Sequence, residues 1–156
     1  MSTGENKPAQ TKLKGPLSII KYEQHWHVVF THFPVSFFLG SALFMILHLV
    51  SYANRDAYEL ASFVLLVAGM VVMWPTTLTG WNTWKKHYHG AHVKIFIYKI
   101  RTAYAMIALS VLLVVWRFVL PPPKDTAWFY AYAIGIFLLF IGTVIEGFYG
   151  GRLNHH

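Results

Sequence analysis

Four long apolar runs divide the chain, and polar or helix-breaking segments separate them. The runs cover residues 34–52, 60–81, 102–120 and 127–149. An α-helix needs about 20 predominantly apolar residues to cross the hydrocarbon core of a bilayer, and each run is about that long. Three consecutive prolines, Pro121, Pro122 and Pro123, end the third run sharply. The pattern predicts an all-α membrane protein with four transmembrane helices.

The short connections after the first and third runs predict two antiparallel helical hairpins. Two such hairpins form a four-helix up-and-down bundle. We assign residues 1–24 to a polar N-terminal tail and residues 25–153 to the transmembrane domain. Residues 1–18 lack the apolar core of a cleavable signal peptide, so the first span is expected to direct insertion.

Composition supports a membrane protein and restricts its chemistry. Hydrophobic residues make up 56% of the chain, aromatic residues 17% and charged residues only 12%, far from the balance of a soluble domain. The chain has no cysteine. Disulfides, thiolate zinc sites and cysteine-ligated iron–sulphur clusters are therefore excluded within it. A bound metal would depend on histidine, carboxylate or methionine side chains.

The distribution of lysine and arginine predicts the orientation in the membrane. Positive residues near the ends of spans are retained on the cytoplasmic side. Three lie on one side, Arg55, Arg117 and Lys124. Ten lie on the side shared by both termini and the middle connection: Lys7, Lys12, Lys14, Lys21, Lys85, Lys86, Lys94, Lys99, Arg101 and Arg152. Both termini are therefore predicted cytoplasmic, in a bacterial-type inner membrane. The net charge of +7 then reflects topology and attraction to anionic lipid headgroups, not nucleic-acid binding.

Histidine is the most informative residue type for function. The chain has nine, and all except His48 gather on the predicted cytoplasmic side; these are His25, His27, His32, His87, His89, His92, His155 and His156. Imidazole ligates metals and haem iron and transfers protons. His32 is expected at the mouth of the first span, with Pro34 in the first helical turn and Thr31 as its cap. The alternative is that these histidines belong to ordinary interfacial helix packing.

The segment KKHYHGAHVK contains the candidate partners of His32. His89 and His92 are spaced i,i+3 and share one face of a helix. We prefer His92 slightly, because it opens the helix that becomes the third span. The alternative is a basic amphipathic segment that lies on the bilayer surface.

Glu146 is interpreted as the only acidic residue inside a span. It shares a stripe with Ala131, Gly135, Leu139 and Gly142, which is expected to pack inward because small residues favour close helix contacts. A carboxylate at this depth needs a partner, and Lys99, Arg101 or a histidine is expected to supply it. The resulting pair is either a proton relay or a simple ion pair.

Two further residues bear on cofactor binding. Sixteen residues separate His48 from His32, which rotates a helix by about 160°, so two stacked bis-histidine haems within one chain are disfavoured. His48 is expected to make a polar contact or to face another subunit. Pro75 is expected to kink the second helix, with Thr76, Thr77 and Thr79 satisfying freed carbonyls or with room opened for a cofactor or quinone.

The motifs THFPVSFF, AGMVVMWPTTLTGW and GGRL resemble the family of small membrane proteins called domain of unknown function 2231, over residues 25–153. The resemblance implies that His32 and Pro34 are the family's histidine and proline, and that one histidine of HYHGAH is its later histidine. Gly150, Gly151 and Leu153 match its closing motif. Some relatives are joined to Rieske-type iron–sulphur domains, which implies a redox setting. The chain departs from the family in its extra histidines and its NHH ending.

We consider three functions. The first is a b-type haem-binding electron-transfer subunit that passes electrons between a partner redox protein and quinone. His32 with His92, or with His89, would ligate the haem and Lys99 and Arg101 would hold its propionates. The second is a non-haem metal or transport protein, whose candidate ligands are His25, His32, His87, His89, His92 and Glu146. The third is a cofactor-free structural subunit of a respiratory complex. The expected partners are the bilayer and another redox subunit or a second copy, and no catalytic residue is assigned.

Overall fold

In a computed structural model, four long α-helices account for nearly all of the described chain. Their bounds are α1 Pro16–Val50, α2 Arg55–His87, α3 Lys94–Val119 and α4 Ala127–Leu153. The structure describes residues 16–87, 94–119 and 126–153, and no strand occurs in these ranges. Each helix contains a segment long and apolar enough to cross a membrane: Phe30–Val50, Arg55–Lys86, Phe96–Val119 and Ala127–Tyr149. The prediction of four helices long and apolar enough to cross a membrane is confirmed, and it indicates a multi-pass membrane protein.

Each helix turns one face inward, and the inward residues follow each other at intervals of three or four. This spacing is typical of helices that pack lengthwise in a bundle. The buried residues that follow this spacing include Phe38, Ser41, Met45 and His48 on α1; Glu59, Ser62, Leu66, Gly69 and Met73 on α2; Met106, Ser110 and Leu113 on α3; and Tyr132, Ile136, Leu139 and Thr143 on α4. The outer faces carry exposed apolar side chains such as Leu43, Val64, Leu112 and Leu138, as lipid contact requires.

The helix pairs that pack extensively are α1 with α2, α2 with α3, α3 with α4, and α4 with α1. In the described residues α1 therefore lies diagonally across from α3. Seventeen residues of α2 separate Glu59 from Thr76, about 26 Å along the helix. We call the end that contains His48, Glu59, Arg117 and Phe129 the His48 end. The opposite end, with Phe30, Thr76, Lys99 and Glu146, is the Glu146 end.

Small residues allow close contact within both helical hairpins. Ser41 Oγ donates to the carbonyl of Ser62 at 2.9 Å, and Ser62 Oγ donates to the carbonyl of Ser41 at 2.8 Å. The side chains of Leu113 and Met106 fill the space beside Gly135 and Gly142 of α4. The predicted inward stripe is confirmed for Gly135, Leu139 and Gly142, which are buried. It is wrong for Ala131, which is exposed although it precedes the buried Gly135 by four residues.

Pro34 lies in the interior of α1, so its predicted place in the first helical turn is wrong: the helix begins at Pro16. A proline cannot donate to the carbonyl four residues earlier, which here belongs to Phe30. Thr76 Oγ1 of α2 donates to this Phe30 carbonyl at 3.1 Å and shares its hydrogen with the Val72 carbonyl at 2.9 Å. A neighbouring helix thus donates to the carbonyl that Pro34 cannot reach, a repair known in membrane helices.

Pro75 is also internal to a helix, and α2 continues through it to His87. Thr79 Oγ1 donates to the Thr76 carbonyl at 2.9 Å. Pro75 cannot donate to the Val71 carbonyl, four residues earlier, whereas Thr76 Oγ1 donates to the Val72 and Phe30 carbonyls. The expectation that Thr76 repairs the break at Pro75 is therefore corrected. The Thr76 hydroxyl instead donates to the Phe30 carbonyl, the one that Pro34 of α1 cannot reach.

The repair predicts energetic coupling between Thr76 and Pro34. Thr76→Val should destabilise the protein by about 1 kcal/mol, because the hydrogen bond from the Thr76 hydroxyl to the Phe30 carbonyl is lost in an apolar setting. In a Pro34→Ala background the backbone donor returns, so the same substitution should cost close to nothing. The coupling is obtained from the free energies of unfolding of four proteins: the unmodified protein, Thr76→Val, Pro34→Ala and the double variant. Reversible unfolding in mixed detergent measures them.

Thr102→Val is the matched control, since Thr102 Oγ1 donates only within α3, to Tyr98. It should show no coupling to Pro34. Equal costs of Thr76→Val in both backgrounds would contradict the repair.

Candidate functional site

His32, the centre of the predicted site, lies on the outward face of α1. Its side chain is exposed, as are those of Val35 and Leu39 further along the same helix. Ser36 Oγ donates to the His32 carbonyl at 2.9 Å, which leaves the imidazole uninvolved in that bond. His32 is thus presented to lipid or to another protein surface and does not point into the bundle.

The structure places the other candidate histidines only in part. His25 belongs to α1 and His87 is the last residue of α2, while His89 and His92 lie outside the described residues. Among the residues that are described, no group of three or more histidine, cysteine or acidic side chains is arranged to hold a metal ion. The haem pair and the mixed histidine metal site stay predictions.

Lys99, Arg101 and Glu146 occupy the Glu146 end of the bundle. Arg101 is exposed, whereas Lys99 and Glu146 are half-buried. Lys99 lies near enough for its charge to act on the Glu146 carboxylate. Glu146 Oε1 is buried and receives no hydrogen bond from the described residues. This geometry favours Lys99 over Arg101 as the charge partner of Glu146, and the proton relay stays a prediction.

The strongest polar contact lies at the His48 end, where sequence reasoning placed no site. Arg117 Nε donates to Glu59 Oε1 at 2.7 Å and Arg117 Nη2 donates to Glu59 Oε2 at 3.0 Å. Glu59 is only 5% exposed. Glu146 is not the only acidic residue in a segment apolar enough to cross a membrane, because the segment of α2, Arg55–Lys86, includes Glu59.

The inward spacing is the signal that would have found this ion pair. Glu59 precedes the buried Ser62 by three residues, and Arg117 follows the buried Leu113 by four. Both charges therefore lie on the inward faces of neighbouring helices. The Arg117 guanidinium also lies 5.5 Å from the ring centre of Phe63, which adds a cation–π contact. The pair is a fixed, geometrically specific anchor between α2 and α3.

His48 joins the end of α1 to the start of α2. Its Nδ1 lies 2.7 Å from the Arg55 carbonyl oxygen, and Arg55 Nε donates to the His48 carbonyl at 3.2 Å. Asn54 adopts a positive φ of 58° in the turn between them, a conformation that asparagine tolerates. His48 is 0% exposed. Of the two roles considered for His48, the polar contact is the one that the structure shows.

Two buried polar atoms at the His48 end receive no hydrogen bond from the described residues. They are His48 Nε2 and Tyr132 Oη, and Tyr132 is 0% exposed. The ring of Phe129 lies against both side chains, 4.8 Å from the His48 ring centre and 6.3 Å from that of Tyr132. Buried polar groups are usually hydrogen-bonded, so each exception requires an explanation.

The chain matches no family model, no curated protein and no solved structure. The resemblance to domain of unknown function 2231 rests on its quoted motifs and stays a prediction.

The ion pair predicts a strong asymmetry between single and double substitutions. Arg117→Met should destabilise the protein by roughly 3 kcal/mol, since it leaves the Glu59 carboxylate buried without a counter-charge. This loss of stability is at the low end of the usual range for breaking a buried ion pair, because the Arg117 side chain is 28% exposed. The double variant Glu59→Leu/Arg117→Met should recover most of the loss. Denaturant unfolding in detergent measures both.

Arg101→Met removes an exposed arginine from the same helix and is the control, with an expected change within about 0.5 kcal/mol. A double variant as unstable as Arg117→Met would show that the two charges do not act as a pair.

Proposed function

We propose that the protein is a membrane subunit of a redox assembly that binds a b-type haem at its Glu146 end, with His32 as one axial ligand. The observation that supports this most is the exposed imidazole of His32, near the start of the Phe30–Val50 membrane segment. Neutral imidazole is a common axial ligand of haem iron. The haem would carry single electrons between a partner redox protein and quinone.

The packing of the bundle limits where such a haem fits. Side chains already fill the interior: the Phe38 ring occupies the space beside Gly69, and Met106 occupies the space beside Gly142. His32 faces away from this interior. The residues therefore fit a haem held on the outer face of α1 or over the Glu146 end, and they do not fit one between the helices.

The second ligand follows from the order of the helices. α2 packs against α1, whereas α3 lies diagonally. His89 follows the last residue of α2 by two positions and His92 precedes the first residue of α3 by two. Chain connection thus favours His89 at least as strongly as His92. Arg101, exposed at the same end, is the better candidate for a propionate, since Lys99 lies near enough for its charge to act on Glu146.

An optical spectrum tests the haem proposal. The purified protein, supplemented with haem during expression, should show a reduced b-type band that His32→Ala abolishes. Phe33→Ala, at the neighbouring exposed position, should retain the band. A preparation that stays colourless after supplementation would overturn the proposal. Loss of the band in His89→Ala or His92→Ala would show that the second ligand comes from the same chain. Retention of the band in both variants would overturn ligation within the chain.

A cofactor-free structural subunit of a respiratory complex is the second candidate. The filled interior and the exposed apolar side chains on all four helices favour it. Apolar outer faces suit contact with other membrane subunits as well as with lipid. A colourless protein that co-purifies with a redox complex would support this function in place of the first.

We also propose an up-and-down bundle with both termini in the cytoplasm. The charge distribution supports this orientation. It places the Glu146 end, with His32 and Lys99, at the cytoplasmic face. The His48 end then lies at the opposite face, in the inner membrane of a bacterial-type cell.

The absence of cysteine makes the orientation simple to test with single-cysteine variants. Tyr52 is 99% exposed between α1 and α2, and Asn82 is exposed near the other end of α2. A membrane-impermeant maleimide should label Tyr52→Cys from outside spheroplasts. It should label Asn82→Cys only after the membrane is permeabilised. The reverse pattern would place the termini outside.

A further inference from the structure

His48 and Tyr132 present complementary unsatisfied groups inside the His48 end. The Arg55 carbonyl can only accept a hydrogen bond, so His48 Nδ1, 2.7 Å from it, must donate. The neutral imidazole therefore carries its proton on Nδ1. Its Nε2 is left with a lone pair, fully buried. The Arg55 carbonyl thus fixes the tautomer and leaves Nε2 able to accept a hydrogen bond.

Tyr132 supplies the complementary hydroxyl from α4. Its Oη is both donor and acceptor, and it is buried without a hydrogen bond from the described residues. Both rings contact the same neighbour, Phe129, at tilted angles. The two unsatisfied atoms thus belong to side chains of the adjacent helices α1 and α4, in the region around the Phe129 ring.

Charged groups surround this region from the other two helices. Glu59 of α2 and Arg117 of α3 form the buried ion pair, and both lie near enough for their charges to act on Tyr132. Arg55 of α2 approaches His48 through its own guanidinium. The exposed Asp56 is the remaining charged residue in the first turn of α2. The region is therefore polar, which is the condition for holding water in a protein interior.

We propose that a buried water molecule bridges His48 Nε2 and Tyr132 Oη, so that His48 Nε2 accepts a hydrogen bond from this water inside the bundle. The water donates one hydrogen to Nε2 and accepts the hydrogen of the Tyr132 hydroxyl. Its second hydrogen is directed toward a further acceptor, for which the nearby Glu59 carboxylate has the right chemistry. A water needs two to four such polar partners. The site is separate from the haem proposal, since it lies at the opposite end of the bundle.

Nitrogen NMR of the protein in lipid nanodiscs, labelled with 15N-histidine, tests the site. The His48 signals are assigned by their loss in His48→Gln. We expect a protonated Nδ1 and an unprotonated, hydrogen-bonded Nε2, with magnetisation transfer between water and the His48 ring protons. Tyr132→Phe should move the Nε2 resonance toward that of an imidazole nitrogen without a hydrogen bond. Tyr130→Phe, which removes an exposed hydroxyl two positions away, should leave it unchanged.

Three results would overturn the proposal. The first is a neutral His48 with its proton on Nε2. The second is no magnetisation transfer from water, which would indicate a dry contact. The third is an Nε2 resonance that Tyr132→Phe leaves in place while the other histidine signals show that the variant is folded. The first two are measured on the unmodified protein, so misfolding of Tyr132→Phe does not affect them.

Discussion

The hydrocarbon core of a bilayer offers no hydrogen bonds, so polar groups in the bundle must find partners within the protein. Three contacts of α2 meet this constraint. Thr76 serves the Phe30 carbonyl at one end, Ser62 exchanges hydrogen bonds with Ser41 at mid-length, and Glu59 binds Arg117 at the other end. The first two join α2 to α1 and the third joins it to α3. The packing of α2 thus determines the positions of its two neighbours.

The two ends of the bundle differ in chemistry. At the Glu146 end the notable groups are an outward imidazole and a half-buried carboxylate, His32 and Glu146. At the His48 end the polar groups are inside, where Glu59 is neutralised by Arg117 and where His48 and Tyr132 are fully buried. An outward ligand suits contact with a cofactor or partner at the surface. Buried polar groups suit a water or a proton held inside, and they also fix the helix register.

Several predictions from sequence were accurate because they depend on local properties. The four apolar helices follow from run length and hydropathy, and the inward positions of Gly135 and Gly142 follow from the preference for small residues at helix contacts. The errors have a common cause. Considered within its own segment, Pro34 is predicted at a helix start. The apolar run 60–81, considered alone, leaves Glu59 outside the second span. A neighbouring helix supplies what each needs: the Thr76 hydroxyl and the Arg117 guanidinium.

The sequence by itself determined that the chain forms four membrane-spanning helices, since the bilayer thickness and the cost of burying polar groups act on each segment alone. Only the tertiary structure decided which polar residues meet. Glu59 and Arg117 are 58 residues apart in the chain, and His48 and Tyr132 belong to the first and last helices. Their proximity depends on which helices are neighbours and on how each is rotated about its axis. These are properties of the packed bundle and not of any single segment.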